Sequence, residues 1–325
     1  MQVGFDELSL GIEIEFSGIS RFEAAQVLVD YFGTTFVKFG GWNNEEYHIP
    51  CQKGHIWQLV NDGSVDAQKK VGNTVVPATE DYKCELITPV ISYHDISTLL
   101  GVVAALKAAG GITGANCGIH VHIGAEKFDP KSFRVLCNLV YSKQYLLANA
   151  LTVKEVRKGQ YCSYLTDESI RHLNSEKPTT WEHFKEIWYA GTLDAVRTIR
   201  RNESRYRIIN LHNLLSGRQP TIEYRLYDSI LDADYVKAYI QFSLLLTCQA
   251  LRQKKASTRI MMSENSKFTF RVFLLKINAI GSDFREMRLL FLKHLEGDSG
   301  RRRPICKPEP YRATLNNSKS FGKVD

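Results

Sequence analysis

CGIHVHIG, residues 117–124, sets two histidines one residue apart among apolar neighbours. Side chains alternate between the faces of a strand, so His120 and His122 share one face while Ile119, Val121 and Ile123 take the other. The same design recurs far away in the chain. In LGIEIEFSG, residues 10–18, Glu13 and Glu15 stand opposite Ile12, Ile14 and Phe16. In PTIEYRLYDS, residues 220–229, Glu223 and Arg225 stand opposite Ile222, Tyr224 and Leu226. A fourth short strand, YKCELITPV (82–90), places Glu85 between Cys84 and Leu86 and closes at Pro89.

An ordinary half-exposed strand turns Thr, Lys, Ser or Gln to water. Here the polar face offers Glu13, Glu15, Glu85, Glu223, His120, His122 and Arg225. Gathered in one concavity, such a set repels itself unless cations occupy it. Carboxylates with imidazoles, and no thiolate, suit Mg²⁺ or Mn²⁺ better than zinc. Arg225, two residues from an acidic ligand, adds a donor for a phosphate, so the implied chemistry is metal-assisted phosphoryl transfer. Singly, each pair has a plainer meaning: a solvated face, a structural or zinc-binding histidine pair, a surface ion pair of little worth. Their joint occurrence carries the reading.

A rival reading rests on the same stretch. Gly114, His120, His122 and Glu126 match the spacing of the first cupin motif, which would make a single-metal hydrolase or oxygenase inside a β-barrel. Against it, Phe133 stands where a glycine is expected, and the chain turns into a helix at Asp129-Pro130. A small all-β barrel does not favour flanking helices.

Working outward, SRFEAAQVLVDYFG (20–33) predicts a helix with Ser20 as N-cap, Glu23 closing a capping box and Gly33 ending it. HIWQLVNDGSV (55–65) predicts a strand entering a hairpin turn at Asp62-Gly63. Further helices are expected from Asp95 to Gly110-Gly111, and from Asp129 through one long periodic run to residue 151. Residues 152–204 are polar and helix-prone and look decorative rather than core. RYRIINLHNLL (205–215) reads as another strand, 232–253 as a helix that closes the main unit, and 255–296 as one or two more. Antiparallel strands mixed with helices, without regular alternation, mean α+β. Neither a G-x-x-x-x-G-K-[ST] loop nor a G-x-G-x-x-G turn is present, so a phosphate would not be held by those cradles.

The composition of the 325 residues, 44% hydrophobic and 24% charged, is that of a soluble globular protein. No apolar run is long enough to cross a bilayer, and the start does not read as a signal peptide. Seven scattered cysteines with no C-x-x-C pair fit a reducing compartment, and the cytoplasm is the expected location. The net charge of +7 divides into +5 on residues 301–325 and +2 on the rest. That basic tail is expected to be a disordered, solvated terminus, not a nucleic-acid site.

GIEIEF, NDGSVD, CELITPV, CGIHVHIG and TIEYRLYDSILDADYVKAYIQF, in that order, resemble the amidoligase family. That family belongs with glutamine synthetase and γ-glutamylcysteine ligase among carboxylate–amine ligases. The similarity spans about residues 10–250. It implies a glutamine-synthetase-like catalytic fold: a curved antiparallel sheet, a partial barrel, with a metal-lined concave face and helices packed on the other. It implies ATP with Mg²⁺ or Mn²⁺, and an amide formed through an acyl phosphate from small-molecule or peptide carboxylate and amine substrates. By the same resemblance, Glu13, Glu15, Glu85, His120 and Glu223 are metal ligands, and His122 lies toward the nucleotide. Arg225 binds the transferred phosphate, and Asp62 holds or deprotonates the amine. Arg207, with Arg205 and Asn210, is a weaker candidate for binding phosphate or carboxylate. The implied layout is a catalytic domain at 1–250 with a helical insertion at 152–204, a helical extension at 251–300, and the tail. An inactivated ligase fold serving as a binding protein is the remaining alternative, and an oligomer is allowed.

Overall fold

Strict alternation of apolar residues makes Leu10–Phe16 a strand whose Leu10, Ile12, Ile14 and Phe16 are all buried. This first strand, β1, lies inside the sheet, not at its edge. The structure, a computed structural model, describes residues 4–41, 45–189, 202–217 and 219–302. The other strands are β2 (Val37–Phe39), β3 (Glu46–Pro50), β4 (Ile56–Val60), β5 (Gln68–Val71), β6 (Thr74–Pro77), β7 (Cys84–Ile87), β8 (Gly118–Gly124), β9 (Ile209–Asn210) and β10 (Thr221–Asp228). Eight of them form one antiparallel sheet in the order β2-β3-β4-β7-β1-β8-β10-β9, which does not close on itself; β5 and β6 make a separate ribbon. The fold is therefore mixed helix and sheet, as expected, with an open sheet.

The helices are α1 (Arg21–Phe32), α2 (Ile96–Ala108), α3 (Pro130–Tyr141), α4 (Gln144–Ala150), α5 (Glu155–Gln160), α6 (Asp167–Glu176), α7 (Trp181–Tyr189), α8 (His212–Leu215), α9 (Ala233–Arg252), α10 (Ser266–Lys276) and α11 (Arg285–Leu292). Helix α1 begins as its sequence dictates: Glu23 N–H donates to the Ser20 hydroxyl, and Ser20 N–H donates back to the Glu23 carboxylate at 2.7 Å. Gly33 ends it in the left-handed conformation, φ +63°. Helix α9 lies on the apolar side of the sheet. Tyr224 and Tyr227 of β10 reach it through hydroxyl bonds of 2.7 Å to Thr247 and 2.6 Å to Ser243. Helices α10 and α11 extend this layer, with the Phe242 ring 6.4 Å from Phe270 and 5.4 Å from Phe291.

Four local expectations need correcting. Asp62-Gly63 is not a hairpin turn, because β4 pairs with β3 and β7; the next hairpin joins β5 to β6 around Gly72. Asp62 instead accepts a hydrogen bond from Ser64 N–H at 2.6 Å, a local turn that the Asx side chain favours. The long helix from Asp129 breaks at Ser142-Lys143 into α3 and α4, where the Ser142 carbonyl accepts from Met261 N–H. The strand within 205–215 shrinks to the two residues of β9, and LHNLL coils into α8. The segment 152–204 is not mere decoration, since Phe184, Trp188 and Arg157 are fully buried. Tail residues beyond 302 lie outside the described residues.

Candidate active site

The register of the sheet brings the ionisable face together. Glu13 stands across from His120, Glu15 across from Glu85, and Glu223 across from His122. The face is not a solvated one: Glu15, His120, Glu223 and Arg225 keep only 4%, 4%, 5% and 8% of their exposure. Asp62, at the start of the loop after β4, joins Glu15 and Glu85.

Distances are short throughout. His120 Nδ1 is 3.1 Å from Glu13 Oε2 and 3.6 Å from Glu223 Oε1. His120 Nε2 lies 3.6 Å from Glu15, and His122 Nε2 lies 3.3 Å from Glu13. Both Nε2 atoms are buried without a well-formed hydrogen bond, the state of a group made to serve another partner. The carboxylates are oriented from behind. Gly118 N–H donates to Glu15 Oε2 at 2.6 Å, and the Asn210 amide donates to Glu223 Oε2 at 2.6 Å. Arg225 pairs with Glu223 and donates through Nε to the Tyr161 carbonyl at 3.1 Å.

The electrostatics divide the acids. Burial pushes Glu85 well above the usual carboxylate range, and Glu13, Asp62 and Glu15 add to this by repulsion. Burial also raises Glu15, despite the attraction of His120. Glu13 is held well below that range, the imidazoles of His122 and His120 outweighing its burial. Glu223 is lowered too, Arg225 and both histidines prevailing over desolvation. His122, for its part, rises to about 9, the neighbouring Glu13 overcoming a burial cost that acts the other way.

Three overlapping sets offer ligand atoms within 4.8 Å of one another: Glu13, His122 and Glu223; Glu13, Glu85 and His120; Glu15, Asp62 and Glu85. Oxygen and imidazole donors with no thiolate fit a row of hard divalent cations. A cleft of about 490 Å³ opens onto Glu13 and His122, with Gln58, Thr88 and Asn213 on its walls, within the range that holds small organic ligands.

Of the residues singled out from sequence, Glu13, Glu15, Asp62, Glu85, His120, His122, Glu223, Arg225 and Asn210 come together. Arg207 does not. Its guanidinium lies 4.7 Å from the centre of the Trp188 ring and donates to Ser169 at 3.2 Å. Asn210 lies in β9 opposite Glu223 on the polar face, whereas Arg207 lies outside β9, at the end of the short helical turn Glu203–Tyr206. Arg205 sits over the Tyr206 ring, 5.2 Å from its centre. The cupin arrangement fails on two counts. Glu126 is exposed and belongs to no candidate ligand set among the described residues, and the sheet is open. Sequence reasoning missed Gly118, Tyr161 and Arg157, two of which act through main-chain atoms that leave no side-chain signature.

The site thus gathers buried carboxylates and imidazoles on one sheet face, in groupings that could hold metal ions. A family model described as "Putative amidoligase enzyme" matches residues 6–247. The chain belongs to that family, and is accordingly an enzyme of the ligase type. No curated protein matches it.

Proposed function

We propose that the protein is an ATP-dependent carboxylate–amine ligase that forms an amide through an acyl phosphate, on a sheet of glutamine-synthetase type. The observation that carries this is the convergence of Glu13, Glu15, Glu85, Glu223, His120 and His122 with one arginine on a single buried face. Glu13, Glu15, Glu85, His120 and Glu223, with His122 toward the nucleotide, would hold two or more Mg²⁺ or Mn²⁺ ions. When bound, the ions neutralise phosphate oxygens and draw charge from the group being transferred. Arg225 neutralises charge on the phosphoryl group in flight, and its double anchorage to Glu223 and the Tyr161 carbonyl fixes its direction. The substrate carboxylate attacks the γ-phosphorus and ADP leaves. The amine, held and deprotonated by Asp62, then attacks the acyl carbon and phosphate departs. The nucleotide is read into the cleft beside Glu13 and His122. Free cysteines at 51, 84, 117, 137, 162 and 248 support a cytoplasmic location.

Purified protein should release phosphate from ATP only with Mg²⁺ or Mn²⁺ and a matched carboxylate–amine pair, found by screening pools and weighing products. Glu13→Gln and Arg225→Ala should each lower turnover by about 10²-fold or more, as expected for loss of a transition-state charge partner. Full turnover in either variant would refute the reading.

A further inference from the structure

Strand β10 slips register against β8 between Tyr224, opposite Val121, and Tyr227, opposite Ile119. The slip keeps both tyrosines on the helix side although they are three residues apart, and it leaves Arg225 on the acidic side with Glu223. The Arg225 and Tyr227 carbonyls flank the slip, where β9, paired only with Glu223 and Tyr224, no longer covers β10, and buried carbonyls need donors. Here one residue supplies them. Arg157, at the middle of α5, has no exposed surface; its Nη2 donates to the Arg225 carbonyl at 3.0 Å and its Nη1 to the Tyr227 carbonyl at 2.5 Å. The carboxylate it pairs with is Asp228, 3.3 Å away. Four residues on, the Tyr161 carbonyl takes the Arg225 Nε–H. The α5 segment therefore grips Arg225 by backbone and side chain at once. Gly118 completes the arrangement: a Cβ there would collide with Arg157 Nη2.

We infer that Arg157 is the positioning residue for Arg225, holding the β10 bulge in the shape that aims that guanidinium at a bound phosphate. This rests on the proposed role of Arg225. A buried arginine bridging two carbonyls with its planar fork is a task lysine cannot perform in full.

The test uses Mn²⁺ and pyrophosphate as probes, so no substrate is needed. Mn²⁺ affinity is measured by electron paramagnetic resonance, and pyrophosphate affinity by calorimetry on the Mn²⁺-loaded protein. Arg157→Met should retain Mn²⁺ affinity yet lose about tenfold or more in pyrophosphate affinity, the worth of one charge-assisted hydrogen bond. Arg157→Lys should fall between it and wild type. Gly118→Ala, which crowds the guanidinium without removing charge, should also weaken pyrophosphate binding, but Gly118 N–H orients Glu15 as well, so Arg157→Lys carries the test if Arg157→Met does not fold. The double variant with Arg225→Ala should bind no worse than Arg225→Ala alone, because both changes remove one contact. Pyrophosphate binding unchanged in Arg157→Met, or lost in step with Mn²⁺, overturns the positioning role alone. Wild-type protein that binds Mn²⁺ but not pyrophosphate overturns the proposed function and this inference together.

Discussion

At the scale of single residues, His212 shows how environment decides charge. Its ring lies edge-on to Tyr189, with Nδ1 3.3 Å from the Tyr189 hydroxyl. Burial, reinforced by nearby Arg205, depresses the imidazole to about 4. In the unfolded chain His212 takes up a proton near pH 6.5 while in the folded chain it resists until about 4, so its own contribution to stability is full above 6.5 and falls as pH drops through that window. Denaturant unfolding from pH 7.5 to about 4 should show this decline, and His212→Asn should flatten it; an unchanged slope would discard the assignment. The acidic site itself was legible at this scale. Period-two alternation alone assigned Glu13, Glu15, His120, His122, Glu223 and Arg225 to polar faces. Which of Arg207 and Asn210 reaches the site was not legible, because the strand read over 205–215 shrinks to Ile209–Asn210. Arg157 was not legible, because KEVRKGQ surrounds it with charged neighbours and nothing in one sequence marks which of them is buried.

At the scale of elements, caps were the most legible feature, since their energetics are local. Ser20 and Asp129 accept from main-chain N–H groups at helix starts as expected, whereas Asp95, expected to cap α2, makes no such bond. Gly33 closes α1 with a positive φ and no neighbour near its missing Cβ, so a substitution there meets only backbone strain. Gly33→Ala should destabilise the protein by about 1 kcal/mol, and Gly33→Asn by less, measured by urea titration. An alanine variant as stable as wild type would contradict the left-handed cap. The break between α3 and α4 and the displaced hairpin were hidden for the opposite reason. Each is settled by a distant partner, Met261 in one case and the neighbours of β4 in the other.

At the scale of the molecule, the sequence identified the family region closely, about 10–250 against the matched 6–247, because ordered motifs survive without any knowledge of packing. It said less about the chain beyond residue 250. Rings of α10 and α11 close over Phe242 and Tyr239, with Tyr239 6.1 Å from Phe291. A chain ending after Arg252 should therefore bind an apolar dye and melt several degrees lower, as expected when large buried aromatics lose their cover. Melting unchanged from that of the 325-residue chain would show that the sheet stands without this layer.

Strand β1 precedes in the chain both strands that flank it in the sheet, β7 and β8. Glu15 waits 103 residues for Gly118 N–H, and its carbonyl waits 214 residues for Ser229. At roughly 5–20 residues per second, the ribosome takes on the order of 10–45 s to supply that last partner. For the part of that interval before β8 is made, the glutamate-bearing strand lacks its native neighbour on one side. Vectorial synthesis and native topology are thus out of step here, and like charges on Glu13 and Glu15 disfavour pairing with another acidic strand in the meantime.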